Sequence, residues 1–443
     1  MSSGSHTSYN KNSISVLGVT AIGVGGMMGA GLYTLIGLAT NSSRLWLPLS
    51  FLIGGAVAAF SVYSYSKLGM KYPSRGGAAQ FLLQGFGDGL LSGGMNVFQY
   101  LGWIIAMALY ATGFAEYFCQ LFNLADSGWT GKAVSIGIII VVVFVNILGA
   151  KQVARAQTTI IACELIILIA FIAIGLTKAH VPTLTSTYQQ HPLGVLSAAG
   201  LLYVTYEGFG VVTNAAGSMK NPAKQLPIAM YCSLGIVTVI YILSSIVVVT
   251  TLGVNDAIAN QGYALADTGR VIFGNLGFIA IGIAALVATA SAVNSTMFVD
   301  ENLALRISKT DEVPEKFGVM TKVGGTWGLF FTALITCAFV VIFPLSAVGQ
   351  MASLAFLLVY AMVNAGHLRL YHETNANRTL LILSVVLNLA LFALLFYQTI
   401  ADGNVMTWGS VIGLLVLSFL LEWLWRNHTH QNMHWLGPVP NKK

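Results

Sequence analysis

The stretch Gly23-Val24-Gly25-Gly26-Met27-Met28-Gly29-Ala30-Gly31 interrupts an apolar block that covers residues 15–38. Five glycines in nine residues make an unbroken helix costly, because each interior glycine is worth about 1 kcal/mol less than alanine. The block is nonetheless long enough to cross a bilayer, which takes about 20 apolar residues. In lipid, backbone freed from helical bonding must line a cavity or be buried in protein. A second interruption, Tyr203-Val204-Thr205-Tyr206-Glu207-Gly208-Phe209-Gly210, falls inside the sixth apolar block. Two broken helices at corresponding places in two halves point to a midplane binding site between inverted repeats. Glycines also permit close helix packing, and glycine content alone does not separate the two readings.

Composition sets the class around these breaks. Hydrophobic residues make up 56% of the 443 and charged residues only 8%, against roughly 25% charged in an ordinary soluble domain. Twelve apolar blocks cover residues 15–38, 45–68, 91–121, 133–148, 158–176, 193–211, 226–252, 271–298, 324–342, 345–368, 380–397 and 405–424. The chain is therefore expected to be an all-α integral membrane protein of about twelve transmembrane helices. The polar first fourteen residues lack a basic n-region and a cleavage site, so the first span is expected to be retained. The longest loops, near residues 253–270 and 306–322, are too short to bury a core of their own.

Orientation follows from Lys and Arg, which favour the cytoplasmic side. With the N-terminus inside, seventeen of the 21 basic residues fall in cytoplasmic segments and only Arg44, Lys132, Lys178 and Arg270 fall outside. A plasma (inner) membrane location with both termini cytoplasmic is the expectation. The net charge of +6 then reflects this bias and needs no nucleic acid. Cys119, Cys163, Cys232 and Cys337 show no ligand spacing and read as small core residues, without disulfide or metal. Trp46, Trp129, Trp408, Trp423 and Trp425 lie near span ends, as interfacial anchors do. The glycine run has neither the preceding strand nor the following acid of a nucleotide site, and no nucleophile–base set of an enzyme is present.

Several motifs in register resemble the amino acid, polyamine and organocation permeases over most of the chain. Gly25-Gly26-Met27-Met28-Gly29-Ala30-Gly31-Leu32-Tyr33 resembles the family's first-span G-x-x-I-G-x-G-I-F pattern. Tyr72-Pro73-Ser74-Arg75-Gly76-Gly77-Ala78 resembles its Y-P-x-x-G-G-A, and Lys220-Asn221-Pro222 with Leu226-Pro227 resembles its loop after the sixth span. The resemblance implies the leucine-transporter type of fold, in which broken helices 1 and 6 lie within a 5+5 inverted repeat. Its parts would be a tail at 1–14, repeats at 15–176 and 193–368, two peripheral helices at 380–424 and a tail at 425–443. It also implies a site. Amides of Gly29, Ala30 and Gly31 would hold a substrate carboxylate at a helix N-terminus. Carbonyls of Met27, Val204 and Thr205 would hold the ammonium, near Gly208, and Tyr206 would form an aromatic lid.

Charged residues mark the departures, and charges are costly in a membrane. Lys67 and Ser218 stand where the family often has glutamate, so its cytoplasmic charge pairs are not carried over. Glu164 stands in the fifth span where proton-coupled members often have lysine. A carboxyl group buried there could load and release a proton. It could instead ligate sodium with carbonyls of Gly25 and Met28 and hydroxyls of Ser291 or Ser295, or serve only as a hydrogen-bonded structural group. Glu207, on the broken sixth span, would favour a cationic substrate or carry the proton if it faced the cavity, and would be a packing bond if it faced a neighbouring helix. Glu116 and Glu422, nearer span ends, read as snorkelling. The expected function is secondary active amino acid transport by alternating access, with no cofactor and with protons favoured over sodium as coupling ion. Exchange, a polyamine carrier, a sodium symporter and a channel are the alternatives.

Overall fold

The computed structural model of the chain describes residues 14–29, 31–73, 77–124, 128–148, 151–179, 192–309, 314–322, 324–431 and 433–437. Among the site candidates, Ala30 lies outside these residues, as does Arg75 of the loop motif. The described chain is helical apart from loops and two isolated bridges, Ile14 with Met219 and Met320 with Thr326.

The first crossing is broken where the glycines cluster. Helix α1 (Val16–Met28) is capped by the Ser15 side chain, which accepts from the Gly18 amide at 3.2 Å, and it stops at Gly29. Helix α2 (Gly31–Ser43) resumes and turns at Arg44–Trp46 into α3 (Leu47–Lys71). Pro48 sits in the first turn of α3, where a missing amide costs nothing. A short helix α4 (Gly77–Phe86) precedes α5 (Leu90–Leu121), α6 (Trp129–Leu148) and α7 (Lys151–Thr177).

The second half repeats that order. Helix α8 (Pro192–Leu202) gives way to a tight turn at Tyr203–Tyr206 and a single helical turn α9 (Phe209–Val212). Then come α10 (Pro222–Val247), the short α11 (Val254–Ala259) and α12 (Ala264–Phe273), α13 (Asn275–Lys309), α14 (Trp327–Ile342) and α15 (Leu345–Leu368). A turn of helix, α16 (Tyr371–Thr374), leads to α17 (Arg378–Ala401) and α18 (Val405–His428). Among the described residues, ten helices are long and apolar enough to cross a membrane, with Gly31–Lys71 counted as one run. The shorter apolar helices Val16–Met28 and Trp327–Ile342 complete the crossings the twelve blocks predict. Broken span, long helix, short connecting helix (α4 in the first half, α11 and α12 in the second), then three helices: this order appears twice, as a structural repeat of five spans requires.

Helices α5 and α15 are buried over most of their length, whereas α6, α17 and α18 keep wide apolar faces outward. In lipid such faces cost nothing, and the interior is set by packing and hydrogen bonds. Three readings change here. Cys163 and Cys232 are exposed on helix surfaces rather than in the core, because the helical turn points them away from the bundle. Glu422 does not snorkel: it is fully buried and accepts from Arg426 Nε at 2.6 Å, one turn on, while Arg426 Nη2 reaches Asp88 at 2.6 Å. The loop at 253–270 is folded, into α11 and most of α12.

Candidate functional site

The two breaks meet backbone to backbone. A Cβ on Gly208 would fall 2.5 Å from the Met27 amide nitrogen and closer still to the Gly26 carbonyl group. A Cβ on Gly31 would fall 2.6 Å from the Thr205 side chain. Glycine is therefore required at both places by space rather than by dihedral angle. Tyr241 of α10 spans the junction: its hydroxyl lies 2.6 Å from the Met27 carbonyl oxygen and 3.3 Å from that of Thr205. Two of the three ammonium candidates thus converge on one phenol. The Val204 carbonyl accepts from the Glu207 amide at 3.2 Å, and the Val204 amide donates to Ser353 Oγ at 3.1 Å. Helix α2 begins at Gly31, so its first amides lack intrahelical acceptors, and Gly29 packs against Ala292 of α13.

Tyr206 packs between the junction and α3. Its ring lies against Gly54 of α3 and 5.4 Å from the Tyr241 ring, and its hydroxyl donates to the Phe51 carbonyl at 2.8 Å. A buried phenol must bond somewhere, and α3 supplies the acceptor.

Both carboxylate candidates are buried. Glu164 lies on α7 against the Tyr33 hydroxyl of α2, with Tyr241 within electrostatic reach; apart from each other, Glu164 Oε1 and Tyr33 Oη have no hydrogen-bond partner. Gly25 faces Ile161, one turn before Glu164 on α7. Ser295 donates to the Ala292 carbonyl at 3.1 Å within its own helix, and Ser291 precedes Ala292. No group of three or more His, Cys, Asp or Glu side chains arranged for a metal occurs among the described residues. Glu207 faces a neighbouring helix: Tyr110 Oη of α5 donates to its Oε1 at 2.6 Å, and Tyr360 Oη of α15 donates to its backbone carbonyl at 2.8 Å.

A cavity of about 360 Å³ lies next to the junction, toward the side that carries Ile14. Tyr65, Gln99, Trp103, Asn214, Asn302 and Tyr360 supply its polar lining, and the rest is apolar or glycine. A volume of this size falls at the small-molecule end of natural binding sites.

Sequence reasoning located the breaks and both glutamates but missed Tyr33, Tyr110, Tyr241, Tyr360 and Asp300. Asp300 is fully buried on α13 and accepts from Thr332 at 2.9 Å, while Thr332 also bonds Tyr100 at 2.7 Å. One signal was available. Tyr110 and Tyr241 lie deep inside apolar spans, away from the interfacial belt, where a phenol needs a protein partner.

Comparison with known proteins agrees with this architecture. The family profile described as Amino acid permease matches residues 14–425. An uncharacterized protein of Methanocaldococcus jannaschii is 30% identical over 95% of this chain and 98% of its own length. The inner membrane transport protein YbaT of Escherichia coli is 27% identical over 91% of this chain and 94% of its own. The methylthioribose transporter of Bacillus subtilis is 23% identical over 95% and 94% respectively.

Proposed function

The chain belongs to the amino acid permease family and is a multi-pass membrane transporter, and we propose that it is a secondary active amino acid carrier working by alternating access, coupled to protons through Glu164. The observation that carries this reading is the junction of the two broken spans, where the Tyr241 hydroxyl bonds both the Met27 and the Thr205 carbonyls. Carbonyls facing one another across that junction, beside the N-terminal turn of α2, suit a zwitterion: acceptors for its ammonium, a helix N-terminus for its carboxylate. Rocking of one repeat (15–176) against the other (193–368) would expose the site alternately.

Glu164 supports proton coupling because it is buried against the Tyr33 hydroxyl, near Tyr241, on the helix that packs on the first broken span. Glu207 also keeps one oxygen, Oε2, without a partner, but its Oε1 is held by Tyr110 at 2.6 Å, which suits a positioning role. The lysine and arginine distribution supports a plasma membrane location with both termini inside. On that orientation the 360 Å³ cavity faces the cytoplasm.

Proteoliposome uptake of a radiolabelled amino acid panel tests this reading, with an imposed proton gradient, a sodium gradient, or neither. Saturable uptake stimulated by inward protons is expected. Stimulation by sodium alone would make Glu164 an ion ligand instead, and absence of saturable uptake or exchange would overturn the amino acid assignment.

A further inference from the structure

We propose that the transported solute is not a net cation, and that the cavity beside the helix junction excludes lysine, arginine and polyamines. The inference rests on the carrier reading above and names the charge class of the same solute.

None of the described residues lining the cavity is Asp, Glu, Lys or Arg. Acids do lie close by, and each is turned away. Helix α13 presents Phe298, Val299, Asn302 and Leu303 to the cavity. Asp300 lies between them in sequence but on another face of the helix, where Thr332 of α14 bonds it at 2.9 Å. Glu301 accepts from Thr326 at 2.8 Å, in the residue before α14. Glu207 lies two residues before Gly210, which is in the lining, but its carboxyl group points to Tyr110 and is 2% exposed.

The energetics favour the same class. A cationic side chain in this cavity would lose hydration and meet no opposite charge on the described lining. The rings of Tyr65, Trp103 and Tyr360 could return only part of that loss through cation–π attraction. The ammonium and carboxylate of a zwitterion are met by the carbonyls and amides of the junction, and for the remainder of a neutral amino acid dipoles suffice. Hydroxyl, indole and amide groups of Tyr65, Trp103, Gln99 and Asn214 supply them, and Tyr65 Oη, Trp103 Nε1, Gln99 Oε1 and Asn214 Oδ1 have no side-chain or backbone partner.

The test is competition in proteoliposomes at pH 7, with radiolabelled alanine, serine, leucine, phenylalanine, lysine, arginine and putrescine. Uptake confined to neutral members, unaffected by a large excess of unlabelled lysine or putrescine, is expected. Lysine, arginine or putrescine uptake within tenfold of the best neutral member would overturn the inference while leaving the carrier reading intact. No saturable uptake of any member would overturn both. Asn302→Asp supplies the missing charge at the cavity wall, and lysine should then compete at least tenfold more strongly than in the wild type. Unchanged competition in a folded variant would contradict the placement of this cavity on the solute's path.

Discussion

Gly208 and Gly26 touch through their backbones, with no room for a methyl group at Gly208. That contact holds the two broken spans at the separation where one hydroxyl, that of Tyr241, can bond carbonyls from both. Replacing Gly208 by alanine must push the spans apart. Overpacking of this kind costs about 1–3 kcal/mol where neighbours can move, and more where the obstacle is backbone. Gly208→Ala is expected to lower the melting temperature in detergent and to cut uptake at least tenfold. Gly235→Ala on α10, where nothing lies within 4 Å of the added methyl, should leave both unchanged.

Tyr241→Phe keeps the ring, which packs 5.1 Å from Phe51 and 5.4 Å from Tyr206, and removes only the hydroxyl. The single hydroxyl proton, directed mainly at the Met27 carbonyl at 2.6 Å with that of Thr205 at 3.3 Å, is lost, at about 0.5–1.5 kcal/mol. Transport efficiency, kcat/KM from initial uptake rates, should fall about 2- to 10-fold with little change in melting temperature. Unaltered kinetics would show that the hydroxyl does not organise the junction.

Arg426 and Glu422 form a buried pair at 2.6 Å. Removing one partner strands the other, which costs about 3–5 kcal/mol, whereas replacing both with apolar residues is often neutral. Arg426→Met is therefore expected to be strongly destabilised in thermal unfolding, and Glu422→Leu with Arg426→Met should recover most of the loss. The same region anchors the tail: the His434 and Trp435 carbonyls accept from the Leu90 and Leu91 amides, and Trp435 stacks on Phe419.

Tyr72, just past α3, donates to Glu373 Oε2 at 3.0 Å. Burial, followed by the hydrogen bond and charge of Glu373, pushes its phenol up to about 12 from an ordinary value of 10. A raised phenol favours the protonated form in the folded state. Its stabilising contribution is present in full below pH 10 and is lost as the pH climbs through 12. The melting-temperature advantage of wild type over Tyr72→Phe should be flat from pH 7 to 9 and shrink above pH 10. A constant difference up to pH 11.5 would contradict the Glu373 contact.

The crossings were legible in the sequence because a bilayer demands length and apolarity, which can be counted without knowing any contact. The break at residues 23–31 was legible for a related reason: glycine disfavours helix locally, whatever surrounds it. Helices α4, α11 and α12 were not, since short segments outside the apolar blocks carry no such signal. Tertiary partners were equally hidden. Tyr241 bonds carbonyls more than 200 and about 35 residues distant, and only the packed bundle brings them together. The packing of Tyr206 was hidden for the same reason, its acceptor being the Phe51 carbonyl on another span. Asp300 escaped because it lies two residues beyond the apolar block ending at Phe298, whereas α13 continues to Lys309.

Proton coupling through Glu164 is tested by initial uptake rates in proteoliposomes carrying wild type or Glu164→Gln, each with and without an inward proton gradient. The carboxyl group is buried against the Tyr33 hydroxyl, and the amide keeps its size while removing its titration. Wild-type uptake should rise several-fold with the gradient, and Glu164→Gln should give the same rate with and without it while still exchanging internal for external substrate. Equal stimulation of wild type and Glu164→Gln would contradict the assignment and move the coupling elsewhere.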